Sequence, residues 1–145
     1  MRNVNRNALV PYTAREMFVL VDDVESYPEF LSWCKSSLVH NRTDAMVEAT
    51  LELQKGAMSN KFTTRNARDE FSSIEISLLG GPFRQLQGGW TFTDLGQQGC
   101  KVALKLDFEF ESMLVDLMFG AFFEETCNSL VDTFTRRATQ IFGTR

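Results

Sequence analysis

From Ser112 to Phe142 the chain reads SMLVDLMFGAFFEETCNSLVDTFTRRATQIF, with no proline and a single glycine, Gly120. A helix of that length runs roughly 45 Å at 1.5 Å per residue and crosses a whole small domain. Every other element must be arranged around it. Ser112 can cap its start and Gly143 can stop it. From Cys127 on the stretch is amphipathic: Cys127, Leu130, Val131, Phe134, Ala138 and Ile141 recur at helical spacing, opposite Asp132, Arg136, Arg137 and Gln140. The first part, Met113 to Phe123, is apolar almost all round. Continuing the core stripe backwards at ~100° per residue turns Asp116, Gly120 and Phe123 inward and leaves Val115, Met118, Phe119 and Phe122 outward. Such an outer face needs a partner: a protein subunit, a lipid surface or another part of the chain. A bend at Gly120 would instead turn those residues onto the core.

The segment feeding this helix has the cleanest pattern in the protein. Cys100, Val102, Leu104, Leu106, Phe108 and Phe110 alternate with polar residues through Glu111, as in a strand with one dry and one wet face. Further strands are expected at Arg2–Val10, Lys35–Asn41, Met46–Gln54, Asn60–Ala67, Phe71–Leu79 and Phe83–Leu95, separated by turn residues. Gly88-Gly89 within the sixth predicts a bulge or a bend that curves the sheet. Thr13-Ala14-Arg15-Glu16 is a capping box and starts a helix to about Asp22. Ser26-Tyr27-Pro28-Glu29 reads as a second box, opening a short helix to about Trp33. The order is β-α-α-β-β-β-β-β-β-α. Short turns make the sheet antiparallel, and helices gathered on one side make the class α+β with two layers. Residues 1–145 read as one domain, with no linker or repeat. A bent sheet cannot press flat on a straight helix, and the gap between them is where a ligand would go.

The residue content narrows the chemistry. Thirteen Phe against two Trp and two Tyr suit a core or a greasy cavity, since Phe needs no hydrogen-bond partner. A net charge of -4 argues against broad, charge-driven nucleic-acid binding. Cys34, Cys100 and Cys127 are too far apart for a zinc site or a disulfide framework and fit a reducing cytosol. No signal peptide is legible, and Asp116 interrupts the apolar part of the long helix before it could span a bilayer. The lone histidine, His40, beside a turn, is a surface residue in this reading. No nucleophile elbow, phosphate cradle or paired acid and base is present, so neither catalytic residues nor a metal are expected. Asp116 can hydrogen-bond a polar ligand group or pair with an arginine, with Arg65, Arg68 and Arg84 as candidates. Two apolar groups are candidates for lining a cavity: Tyr27, Phe30, Leu31 and Trp33 in the second helix, and Leu86, Trp90 and Phe92, continuing to Leu106, Phe108 and Phe110.

The stretch VDDVESYPEFLSWC, Val21 to Cys34, resembles the V-x-x-V-x-x-Y-P-x-F-L-P-W-C signature of the coenzyme-Q-binding protein / ribosome association toxin (RatA) family. Gly89-Trp90-Thr91-Phe92 and the fused last strand and long helix are similar as well, so the resemblance covers essentially the whole chain. Ser32 departs from the signature, which carries proline there. The resemblance implies a START-like helix-grip fold, a seven-stranded antiparallel sheet curved around the long C-terminal helix, with a hydrophobic tunnel between them. It implies a bound polyprenyl lipid such as ubiquinone in place of any cofactor, with a role in respiration. It also implies, as an alternative, a toxin that binds the large ribosomal subunit and blocks subunit association, for which Arg2, Arg6, Arg65, Arg68, Arg136 and Arg137 are plausible RNA contacts. A cyclase-like enzyme using Asp116 or Cys34 is the remote third reading. The first makes the protein a non-enzymatic cytoplasmic binder that touches the inner membrane through Val115, Met118, Phe119 and Phe122. Its ligand would lie among Tyr27, Phe30, Leu31 and Trp33, which match the signature, and Trp90, Phe92, Leu106, Phe108, Phe110, Asp116, Gly120 and Phe123, which strand and helix periodicity turn inward. Oligomeric state is not legible.

Overall fold

The computed structural model describes all residues, Met1–Arg145. Seven antiparallel strands form one sheet: β1 Arg2–Val10, β2 Cys34–Arg42, β3 Met46–Lys55, β4 Met58–Asp69, β5 Ser73–Gly80, β6 Phe83–Asp94 and β7 Cys100–Phe110. Their spatial order is β1-β7-β6-β5-β4-β3-β2, so β1 and β2 are the two edges. The chain crosses between those edges through α1 (Ala14–Asp22), a single 3₁₀ turn and α2 (Tyr27–Phe30). The C-terminal helix comprises α3 (Met113–Val115), a π-helical turn over Asp116–Gly120 and α4 (Ala121–Phe142). This is the α+β helix-grip arrangement the sequence predicts.

Local chemistry explains most of the boundaries. The Thr13 hydroxyl accepts from the Glu16 amide at 3.0 Å and Glu16 Oε1 accepts from the Thr13 amide at 2.9 Å, so the first capping box is real. The second is not. Ser26 Oγ donates to Asp23 Oδ2 at 2.6 Å and caps nothing. With no cap and a proline in its first turn, α2 ends at Phe30, and Leu31 to Trp33 form a turn rather than more helix. Strand β5 begins at Ser73, because Phe71 takes a left-handed φ of 67° in the preceding turn. The Gly88-Gly89 pair marks no bulge: β6 stays in register with β7 there, and the shift falls between Phe83 and Gln85. The glycines serve close approach instead. A Cβ on Gly88 would lie 2.0 Å from the Lys105 carbonyl oxygen, and one on Gly89 2.2 Å from that of Ile74.

The largest departure lies in the long helix. Ser112 caps it as expected, accepting from the Val115 amide at 3.2 Å. The π turn then inserts one extra residue into the helical repeat. Residues upstream are therefore displaced by about one position from the face that extrapolation assigns them. Phe119, expected outward, is buried, and Val115 and Met118 are half-buried against the core; Phe122, already within α4, is half-buried without help from the π turn. The exposed apolar residues are Met113, Leu114 and Leu117, at 84%, 67% and 78% exposure. Lys55 Nζ donates to the Met118 carbonyl at 2.9 Å, taking up an acceptor of the π turn. Ile141, expected in the core stripe, is exposed, and the half-buried Phe142 packs toward Tyr12 in its place.

A candidate ligand cavity

The concave face of the sheet is filled unevenly. On β6 and β7 the inward residues are large and fully buried: Phe83, Leu86, Trp90, Phe92, Val102, Leu104, Leu106, Phe108 and Phe110. Phe83, Phe108 and Phe110 meet Phe123 of α4 with ring centroids 4.9–6.0 Å apart. On β3 and β4 the inward residues include Ala49, directly opposite Thr64 in the register, and Val47, opposite Asn66. A small pair beside a polar one leaves space beneath α2 and α4 that nothing fills.

That space is a cavity of about 680 Å³ with its opening included, of which about 80 Å³ is wide enough for the centre of a water molecule. Fifteen of its seventeen lining residues are hydrophobic, and none is charged. Tyr27, Leu31 and Trp33 close it from the α2 side, Phe123, Cys127, Leu130 and Phe134 from α4, and Trp90 and Leu106 from the sheet. The Tyr27 hydroxyl donates to the Val21 carbonyl at 2.5 Å, and burial pushes its pKa well above the usual phenol value. Burial also raises the thiols: Cys34 to about 11, and Cys127 further. A thiol so raised is a poor nucleophile at neutral pH.

Six of the sequence-predicted ligand residues meet at this cavity: Tyr27, Leu31, Trp33, Trp90, Leu106 and Phe123. The other six lie elsewhere. Phe30 lies behind the wall, against Phe134 at 5.3 Å and beneath Arg137. Phe92 packs on Phe18 of α1 at 5.6 Å. Phe108 and Phe110 belong to the solid aromatic block. Asp116 faces away from the cavity and pairs with Arg2, none of the three arginines expected: Arg2 Nε and Nη2 donate to its two oxygens at 2.9 and 3.0 Å. Arg2 also reaches Glu124 at 2.8 Å and holds the Asp116 carboxyl below its usual pKa. Gly120 makes room for this cluster, since a Cβ there would lie 2.5 Å from Asp116 Oδ1. Sequence reasoning overlooked Ala49, Phe62, Thr64, Asn66 and Ile76. Their signal was present in the alternation along β3 to β5, but polar Thr64 and Asn66 on an inward face resemble solvent-facing positions.

A curved antiparallel sheet gripping a long helix over an apolar cavity defines a START-like, helix-grip protein. The chain belongs to the polyketide cyclase / dehydrase and lipid transport family, which residues 10–135 match. It is 46% identical over 143 residues to the ribosome association toxin RatA of Vibrio cholerae, covering 99% of each chain. It is 24% identical over 144 residues to the mitochondrial coenzyme Q-binding protein COQ10 homolog B of Xenopus laevis, covering 96% of this chain and 59% of that one. A START superfamily protein from Mycobacterium smegmatis shares the fold with a TM-score of 0.79 at 21% identity, covering 96% and 98% of the two chains. These relatives are not named as enzymes, although the family's description includes cyclases. No helix is long and apolar enough to cross a membrane.

Proposed function

We propose that this protein binds an uncharged apolar ligand of the polyprenyl quinone type in the cavity between β3–β6 and α4, and does no chemistry on it. The observation that carries this reading is a narrow cavity lined by hydrophobic residues without a single charge. A charged ligand would be buried there without compensation. The raised Cys127 thiol and the spent Tyr27 hydroxyl leave the lining without an activated nucleophile or a general base. In this role the protein supports respiratory electron transport. It is cytoplasmic and visits the membrane to exchange ligand, with the exposed Met113, Leu114 and Leu117 entering the lipid. The test is organic extraction of gently purified protein, followed by mass spectrometry. Quinone at close to one per chain is the expected result. Protein that is reproducibly empty, and that takes up no added quinone, overturns it.

A second reading is supported by a different observation, the 46% identity over nearly full length to a protein named as a ribosome association toxin. In that reading the protein binds the large ribosomal subunit and blocks subunit joining. The arginines differ in availability for such contacts. Arg2 and Arg68 are engaged by Asp116 and Asp22, whereas Arg136 is exposed, as is Arg65, which reaches Glu48 only at 3.5 Å. Co-sedimentation with large subunits on a sucrose gradient, weakening as salt rises, is the expected outcome. Free sedimentation at low salt removes this reading.

A further inference from the structure

We propose that the Asn66 carboxamide is the polar anchor of the cavity and donates a hydrogen bond to a neutral carbonyl oxygen of the ligand. This rests on the cavity being the ligand site. Asn66 lies on the inner face of β4, flanked across the sheet by Val47 of β3 and Ile76 of β5. A polar side chain between two aliphatic ones on a concave face contributes nothing to packing that leucine would not do better. The Thr64 hydroxyl donates to Asn66 Oδ1 at 3.1 Å. That bond orients the amide and leaves Nδ2 as its unspent end, with two N–H groups and no acceptor among the side-chain hydrogen bonds of the protein. No buried side-chain nitrogen or oxygen is left without a partner, so the unbonded Nδ2 is not sealed in the wall, and Asn66 lines the cavity.

The remaining polar groups of the lining favour the same ligand chemistry. Trp33 and Trp90 add indole N–H groups, which only donate. The Tyr27 proton is committed to the Val21 carbonyl. With the Asn66 N–H groups unspent and no charge in the lining, the cavity suits an uncharged acceptor: a ketone, quinone or ester carbonyl. It offers nothing to a hydrocarbon and no counter-charge to a carboxylate or an ammonium. The anchor thus separates a carbonyl-bearing ring from the aliphatic chains that an apolar cavity admits by shape alone.

Decylubiquinone and decylbenzene separate these contributions, because both carry a ring and a tail but only the first has carbonyls. Trp33 and Trp90 both line the cavity, so their fluorescence reads occupancy directly. The Asn66→Leu variant is expected to bind decylubiquinone about five- to tenfold more weakly, as loss of one hydrogen bond implies, and decylbenzene as tightly as before or more tightly. The isosteric Asn66→Asp keeps the shape and replaces the N–H donors with an acceptor. It is expected to lose decylubiquinone at neutral pH, which keeps the test available if the leucine variant fails to fold. Equal change for both probes, or none for decylubiquinone, overturns the anchor while leaving the cavity as the site. A wild-type protein that binds neither probe overturns the ligand reading itself, and the anchor with it.

Discussion

The two halves of one sheet face the same helix and do different things. Over β6 and β7, Phe83, Phe108 and Phe110 close against Phe123 of α4, and Leu86, Trp90 and Leu106 form a wall of the cavity. Over β3 and β4, the register partners Ala49 and Thr64 are too short to reach it, and the cavity opens there. Backbone geometry does not separate the halves, since both are antiparallel strands of similar length. Side-chain volume does.

The sharpest way to break this comparison is to damage the packed half. Phe108 is fully buried between Phe83, Phe110 and Phe123. Phe108→Ala is expected to cost about 3–5 kcal/mol, the range for deleting a buried aromatic ring from a close-packed core. Urea denaturation measures it, and a loss below about 1 kcal/mol would show that this half is not tightly packed. The opposite change on the open half should act on binding rather than folding. Ala49→Phe puts a ring into existing space, so stability should change by less than about 1.5 kcal/mol while ligand affinity falls more than about tenfold. Unfolding by this variant, or unchanged uptake of quinone, would mean that the space beside Thr64 is not what admits the ligand.

The same contrast explains what could be read from the sequence. The packed half announces itself: the alternation from Cys100 to Phe110 gives the strand, its buried face and its continuation into the helix. The succession of strands along the chain and the Thr13–Glu16 cap are equally local and equally legible. The cavity depends on cross-strand pairs such as Ala49 with Thr64, and a pairing register is a long-range property. Bulky aromatics stand out in the sequence as ligand contacts, yet Phe92, Phe108 and Phe110 are buried in packing outside the cavity lining. The π turn was hidden for a related reason. Met113 to Phe123 is apolar all round, so it carries no phase from which an inserted residue could be detected. Asp116 was rotated the wrong way by that insertion, and its partner Arg2 lies at the far end of the chain.

A smaller effect concerns how the helix end is tied to α1. Arg145 donates to both carboxylate oxygens of Glu16, which also serves the Thr13 cap, and these contacts lower the Glu16 pKa from 4.5 to about 2. A carboxylate whose folded pKa is depressed stabilises the fold above its unfolded pKa, and the contribution is lost as pH falls from about 4.5 toward about 2. Solvent screens a pair at this rim, so the amount is on the order of 1 kcal/mol. Thermal unfolding followed from pH 6 to pH 2.5 should show a shallower acid loss in Glu16→Gln than in wild type. Parallel curves would show that the Arg145 contact does not hold in solution.

The smallest expected effect tests the phase set by the π turn. In an uninterrupted helix, backward extrapolation from α4 puts Phe119 in solvent. With the extra residue, Leu117 is 78% exposed and Phe119 is 3% exposed. Leu117→Ser removes apolar surface that is already in water, so stability should stay within about 0.5 kcal/mol of wild type. The same variant should bind less well to vesicles loaded with quinone, because the side chain proposed to enter the lipid is gone. A loss of several kcal/mol at Leu117 would return the helix to the uninterrupted phase. A neutral result at Leu117 with unchanged vesicle binding would keep the phase but detach the exposed face from ligand exchange.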